Sequence, residues 1–171
     1  YQSAAIAAGE LSGQYPGAKI LVVDSRAASL GQGLLVTLAA RRKQAGKSLE
    51  ETAAYVEETR DHLCHWFTVD DLYHLKRGGR VSAAAAFFGT MLQMKPVLHV
   101  DNEGRLIPMD KVRGRKASLR ALVDKMAELA VDTENVYISH GDCLEEAEEV
   151  ASMIRERFGT KEILINFVGP V

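Results

Sequence analysis

Residues able to do chemistry are spread thinly along this chain. In the segment DSRAASLGQGLLV, Ser29, Gly31 and Gly33 stand where a helix is expected to begin. Open N–H groups and the positive dipole end of such a start favour an anionic ligand group. The segment fails as a dinucleotide turn, because Leu34, Leu35 and Val36 follow Gly33 where a third glycine is needed, and six residues separate Asp24 from Gly31. A capped helix whose glycines permit close approach to a sheet is the plainer reading, and both stay open. Two basic clusters contain glycine: Lys76, Arg77 and Arg80 around Gly78-Gly79, and Lys111, Arg113, Arg115 and Lys116 around Gly114. Guanidinium groups on such loops suit a phosphate or an acidic partner surface, and a solvated charge run is the alternative.

Metal and nucleophile chemistry find less support. The histidines are His62, His65, His74, His99 and His140, and only His140-Gly141-Asp142-Cys143 gathers three ligand types. Four ligands at zinc spacing are missing, so this run reads as a strand end before a helix, with Asp142 as the expected cap. Cys64 adjoins His65, yet an extended chain points neighbouring side chains apart. Neither a GxSxG elbow nor a GxxxxGK[ST] loop occurs.

The elements that must position these groups are legible from periodicity and breakers. A first helix begins near Tyr1, with Ala4, Ala5, Ala8 and Leu11 on one stripe. Lys19–Asp24 (KILVVD) is an apolar run that suits a strand covered on both faces. Ser29 is expected to cap a helix over 30–45 that Gly46 stops, and Ser48-Leu49-Glu50-Glu51 is a capping box opening a helix to about Leu63. The character then changes. His65–Val69 reads as a strand, Asp70 as the cap of a short turn, and Ser82 to about Met94 as an apolar helix. In that helix Ala83–Ala86 leave room while Phe87, Phe88, Met91 and Leu92 supply bulk, which fits either a core or a pocket for a flexible apolar ligand. Lys95–Val100 and Arg105–Met109 form a hairpin about Asp101-Asn102-Glu103-Gly104, with Pro96 and Pro108 near its outer ends. KVRGRK is then a basic loop, followed by helix 117–130, strand 136–139, helix 144–158 and strand 162–168. The fold class is α/β: part of an N-terminal parallel α/β domain over 1–63, followed by a second α+β domain over 64–171 with a mixed sheet and a hairpin.

Composition narrows the function classes. With 171 residues, 47% of them hydrophobic and 26% charged, the chain has a sizeable core to bury. A net charge of -2 lacks the basic excess of nucleic-acid binders, and no apolar run reaches the roughly eighteen residues of a membrane span. No nucleic acid and no membrane insertion are therefore expected. Two distant cysteines fit a reducing, cytoplasmic compartment better than a disulfide scaffold. A start at Tyr1, already inside a helix, and a stop at Val171 just after a strand suggest a piece cut at both ends.

Four strings in order, KILVVDSRAASLGQGLLV, FTVDDLYHLKRGGRVS, MKPVLHVDNEG and KVRGRKAS, resemble the DegV family. The resemblance covers nearly the whole chain. It implies a protein that is not itself a catalyst, that binds a long-chain fatty acid between two domains and presents its carboxylate to the kinase subunit of fatty acid kinase. Family members extend further at both ends, where much of the carboxylate clamp would lie. Within this chain the resemblance implies a carboxylate hydroxyl at Thr68, tunnel residues at Phe87, Phe88, Met91 and Leu92, and partner-facing arginines at Arg77 and Arg113. No cofactor is implied beyond the bound fatty acid. The rival class is a nucleotide- or phosphate-dependent enzyme using the Ser29–Gly33 helix start and Arg77.

Overall fold

The computed structural model describes residues 1–70, 72–80 and 93–169. The chain divides into two compact units, Tyr1–Leu63 and Cys64–Val171. The first holds α1 (Gln2–Gln14), α2 (Ser29–Gln44) and α3 (Leu49–Arg60). The second holds β1 (Trp66–Thr68), α4 (Leu72–Arg77), β2 (Met94–Val100), β3 (Leu106–Arg113), α5 (Arg115–Leu129), β4 (Val136–His140), α6 (Leu144–Phe158) and β5 (Ile163–Phe167). The class is mixed α/β.

In the first unit α3 starts as its sequence dictates. Ser48 Oγ accepts from the Glu51 N–H at 3.1 Å, and a Glu51 carboxylate oxygen accepts from the Ser48 N–H at 2.9 Å. Two of the unpaired donors of the first turn are thereby satisfied. α2 packs on α3, with Leu35 and Val56 buried, and the Arg42 guanidinium lies 4.7 Å from the Tyr55 ring centre. Two expectations need correction. The residue at the cap of α2 is Ala28, and Ser29 is the first helical residue, with a left-handed φ of 50°. KILVVD forms no strand, because a strand exists only as part of a ladder and no described segment pairs with it.

The second unit contains two sheets. One has the order β1-β2-β3 and is antiparallel; the other pairs β4 with β5 in parallel. The hairpin turn is held by Asp101, whose Oδ1 accepts from the Glu103 and Arg105 N–H groups, while Gly104 takes φ 78°. β3 continues four residues past Met109, so the expected loop KVRGRK is strand as far as Arg113, which lies opposite Met94. Lys111 opposite Pro96 and Val112 opposite Lys95 extend the ladder that sequence reading ended at Met109. The prolines fit for local reasons. Pro96 lies beyond the end of β1, and Pro108 sits on the edge strand beside the bulge that the register shift at Val97/Leu98 creates. Val97 and Leu98 are fully buried on the central strand.

Helices α5 and α6 pack together through Leu119, Val123, Val150 and Ile154. α5 lies on β1, β2 and β3, and α6 lies on β4 and β5, so the helix pair joins the two sheets into one core. Gly159 at φ 69° closes α6, its N–H donating to the Arg155 carbonyl. The helix expected over 82–94 lies outside the described residues but for its last two positions: Gln93 is a turn residue with φ 68°, and Met94 opens β2. Since Leu98 fills the centre of the sheet, Leu98→Ala is expected to lower stability by about 2–5 kcal/mol. Met109→Ala, at a half-exposed bulge position, should stay within about 0.5 kcal/mol. Urea unfolding of the two variants measures both.

Candidate functional site

A cleft of about 250 Å³ opens in the second unit between β1 and β4. Its floor is the α5–α6 contact, and its walls carry Trp66–Thr68 on one side and Val136–His140 on the other. At its polar end Arg115 donates through Nε and Nη2 to one carboxylate oxygen of Glu146, at 2.8 and 2.6 Å. This pairing raises the guanidinium pKa further and offsets the cost of a cation at the start of α5. Arg115 Nη1 is buried and has no acceptor among the described residues, and the same holds for Thr68 Oγ1. Each such atom costs about 1–3 kcal/mol while it stays unpaired.

His140 closes one corner. Its Nδ1 accepts from the Cys143 N–H at 3.3 Å, and its ring meets Phe167 edge-on at 5.4 Å. The cap of α6 is thus Cys143 rather than Asp142, which takes φ 57° and turns the chain into the helix. Below β1, Lys95 holds Asp70 at 2.7 Å, and that hydrogen bond keeps the Asp70 carboxyl below its usual range. His65 at the head of β1 is pulled below its usual range, first by burial and then by His99. No group of three or more metal-ligating side chains occurs among the described residues.

Of the residues singled out in the sequence, Thr68 lines this cleft, and Arg77 and Arg113 do not. Arg77 is exposed at the end of α4, where the Gly79 N–H bonds the Lys76 carbonyl. Arg113 is exposed on the last position of β3, directly before Gly114, whose φ of 87° turns the chain into α5. Phe87, Phe88, Met91 and Leu92 lie outside the described residues. In the first unit the Gly31 N–H is spent on the Ala28 carbonyl at 3.1 Å, and a Cβ on Gly33 would stand 3.3 Å from Leu30 Cδ2. Just upstream, Arg60 donates to the Asp24 carbonyl at 2.7 Å and Arg26 pairs with Asp61 at 3.0 Å. Sequence reading missed the Arg115–Glu146 pair. The only available signal was a misplaced cation at one helix start and an acidic first turn at the other.

With fold and cleft described, the chain can be set beside known proteins. Its architecture is that of a two-unit α/β protein with small sheets covered by helices, and TM-scores near 0.9 to solved structures define that class. A family model described as an uncharacterised protein of the DegV family matches residues 1–171. The chain belongs to the DegV family. A DegV domain-containing protein of Clostridium perfringens is 49% identical over 173 residues, covering 100% of this chain and 60% of that protein. The chain thus spans about three fifths of the length of the curated relatives it matches. A DegV family protein of Ruminococcus gnavus, solved with vaccenic acid, has a TM-score of 0.90 at 27% identity over 98% of this chain and 60% of its own. The Streptococcus pneumoniae fatty acid kinase B3 protein, loaded with linoleic acid, has a TM-score of 0.88 at 23% identity over 98% and 59%, a likeness of fold.

Two pH windows follow from the site. His65 takes up a proton near 6.5 when unfolded and only at lower pH when folded, so the unfolded state binds more protons between the two values. Its contribution is complete above about pH 6.5 and is lost as pH falls through that value. Asp70 has a depressed carboxyl, so its contribution is present above its ordinary value of 3.8 and is lost as pH falls below it. Melting temperature measured across this range should fall in two steps; His65→Gln should remove the upper one, and Asp70→Asn should reduce the lower one, which Glu50, Glu51 and Asp101 share.

Proposed function

We propose that this chain is part of a fatty-acid-binding protein that holds a long-chain fatty acid between two domains and presents the carboxylate to a partner kinase for phosphorylation. The observation that carries the reading is family membership over the whole chain together with the vaccenic acid in the 27% identical Ruminococcus gnavus relative. The fatty acid kinase protein of Streptococcus pneumoniae supplies the kinase part by its fold. Thr68, with its unpartnered hydroxyl, serves the carboxylate, and the tunnel wall is assigned to Phe87, Phe88, Met91 and Leu92. Arg77 and Arg113, exposed beside glycines and away from the cleft, face the kinase. The chain itself supplies no catalytic group and needs no cofactor. Each buried CH₂ of the acyl chain contributes about 0.8 kcal/mol, so binding rests on apolar burial and the hydroxyl orients the head group. The rival reading through Ser29–Gly33 is weakened where the Gly31 donor is already taken.

Organic extraction of the purified full-length protein, followed by mass spectrometry, tests the ligand class: a fatty acid is expected, and a copurified nucleotide would favour the rival. A single position then separates binding from presentation. Arg113→Ala should leave fatty-acid affinity within about 0.5 kcal/mol, as for surface substitutions generally, while sharply reducing acyl-phosphate formation when the kinase is added. Arg113→Lys should restore only part of that loss, because lysine lacks the planar fork. Loss of lipid binding in Arg113→Ala would move this residue into the carboxylate site.

A further inference from the structure

Three cations follow one another along the junction of β3 and α5. Arg113 is exposed at the last position of β3, Lys116 in the first turn of α5, and Arg120 one turn further on. Lys116 and Arg120 stand four residues apart on one helix face, about 6 Å along the axis. Arg113 and Lys116 are three residues apart, so the main chain between them spans at most about 10 Å. None of the three side chains has a hydrogen bond or ion pair with a described residue. The cations around them are paired: Lys95 with Asp70, Arg115 with Glu146 and Lys125 with Glu128. The carboxylates beside Arg120 are engaged elsewhere, Asp124 with Arg157 and Glu156 as acceptor from Ser152 Oγ.

This arrangement works against the helix that carries it. A cation in the first turn opposes the dipole, and like charges four residues apart repel. Arg115 meets the same dipole but is offset by Glu146, whereas Lys116 has no counter-charge, and no acidic residue stands in the first turn of α5. A carboxylate at position 116 would serve the helix better, since the dipole favours it and Arg120 would pair with it at i,i+4. Positive charge kept at a cost to stability marks a functional surface whose partner is negative. From Arg113 to Arg120 no large apolar side chain is exposed. The face therefore lacks the apolar insert of a membrane-surface helix and fits an acidic protein surface.

We propose that Lys116 and Arg120 continue the face of Arg113 into a basic docking stripe for an acidic surface on the partner kinase. The inference rests on the reading of Arg113 as partner-facing and deepens it, since it assigns capture of the partner to two cations of α5. None of the three residues lines the cleft. Exposed charges within a screening length of one another, about 10 Å at 0.1 M ionic strength, act together on an approaching molecule. Their field raises the rate of encounter more than the strength of the closed complex. Lys116 and Arg120 are held on one helix at a fixed spacing, which the partner's carboxylates have to match.

Stopped-flow association of the full-length, lipid-loaded protein with the kinase provides the test. Lys116→Glu and Arg120→Glu should each slow association by about tenfold at low salt, with dissociation little changed. The difference should close between roughly 0.01 and 1 M ionic strength, as the screening length falls from about 30 to 3 Å. Lys116→Arg should keep the wild-type rate. Lys116→Glu should also raise the melting temperature, because it places an anion at the positive end of α5. Association of both Glu variants within about twofold of wild type would overturn the inference and leave the reading of Arg113 standing. A lower melting temperature in Lys116→Glu would do the same, by making Lys116 a structural residue. Unchanged kinase association with lost binding to phosphatidylglycerol vesicles would reassign the stripe to a lipid surface. A wild-type protein that does not associate with the kinase would remove the functional reading itself, and the inference with it.

Discussion

The second unit depends on one apolar contact, the meeting of α5 and α6 at Leu119, Val123, Val150 and Ile154. Neither sheet is large enough to stand alone: two parallel strands, or a hairpin with a three-residue neighbour, leave too much main chain and apolar surface in water. The helix pair removes that surface from both at once. Buried apolar area contributes roughly 25 cal/mol per Å², so a shared core stabilises more than two separate covers would. Met126, Val136, Ile138 and Ile163 pack around the same four residues, and this ties the parallel pair to α5 as well as to α6.

Charge is arranged to fit that contact. Arg115 and Glu146 sit in the first turns of the two helices and pair across their junction. Glu146 lies where a carboxylate is favoured by the helix dipole, and it cancels the unfavourable position of Arg115. Both groups are about one-quarter to one-third exposed, so the pair avoids the full desolvation cost of a buried ion pair. Two bonds from one planar guanidinium define direction as well as distance at this junction. The ion pairs of the first unit are of another kind. Lys19–Glu50 and Lys47–Glu51 are exposed at both partners, where solvent screening leaves such pairs with little to contribute.

The site inherits its character from the same construction. Thr68 and Arg115 present polar atoms at a place floored by aliphatic side chains, which is a demanding surface to leave bare. Arg77 and Arg113 lie outside it, on the end of a helix and the end of a strand. Thr68 and the two arginines are thus carried by different elements, which allows one to vary without disturbing the other.

Much of this was legible in the residues themselves. The capping box at Ser48, the turn Asp101–Gly104 and the stop at Gly159 are local devices, and each formed where its residue types require. The change in pattern near residue 63 is likewise read from contiguous residues. The family resemblance rests on strings such as FTVDDL and LKRGGR, which are contiguous and so need no fold to be seen. The expectations that failed are ones that depend on a distant partner. KILVVD has the composition of a strand but no neighbour to pair with among the described residues, while KVR, read as a loop for its charge, became strand because Met94–Pro96 offered a ladder. Arg115 meets Glu146 across 31 residues. Local chemistry decides caps, turns and periodicity because the interacting groups are a few bonds apart. Pairing, register and burial belong to the tertiary structure, because they are set by which surfaces the folded chain brings within hydrogen-bond and van der Waals reach.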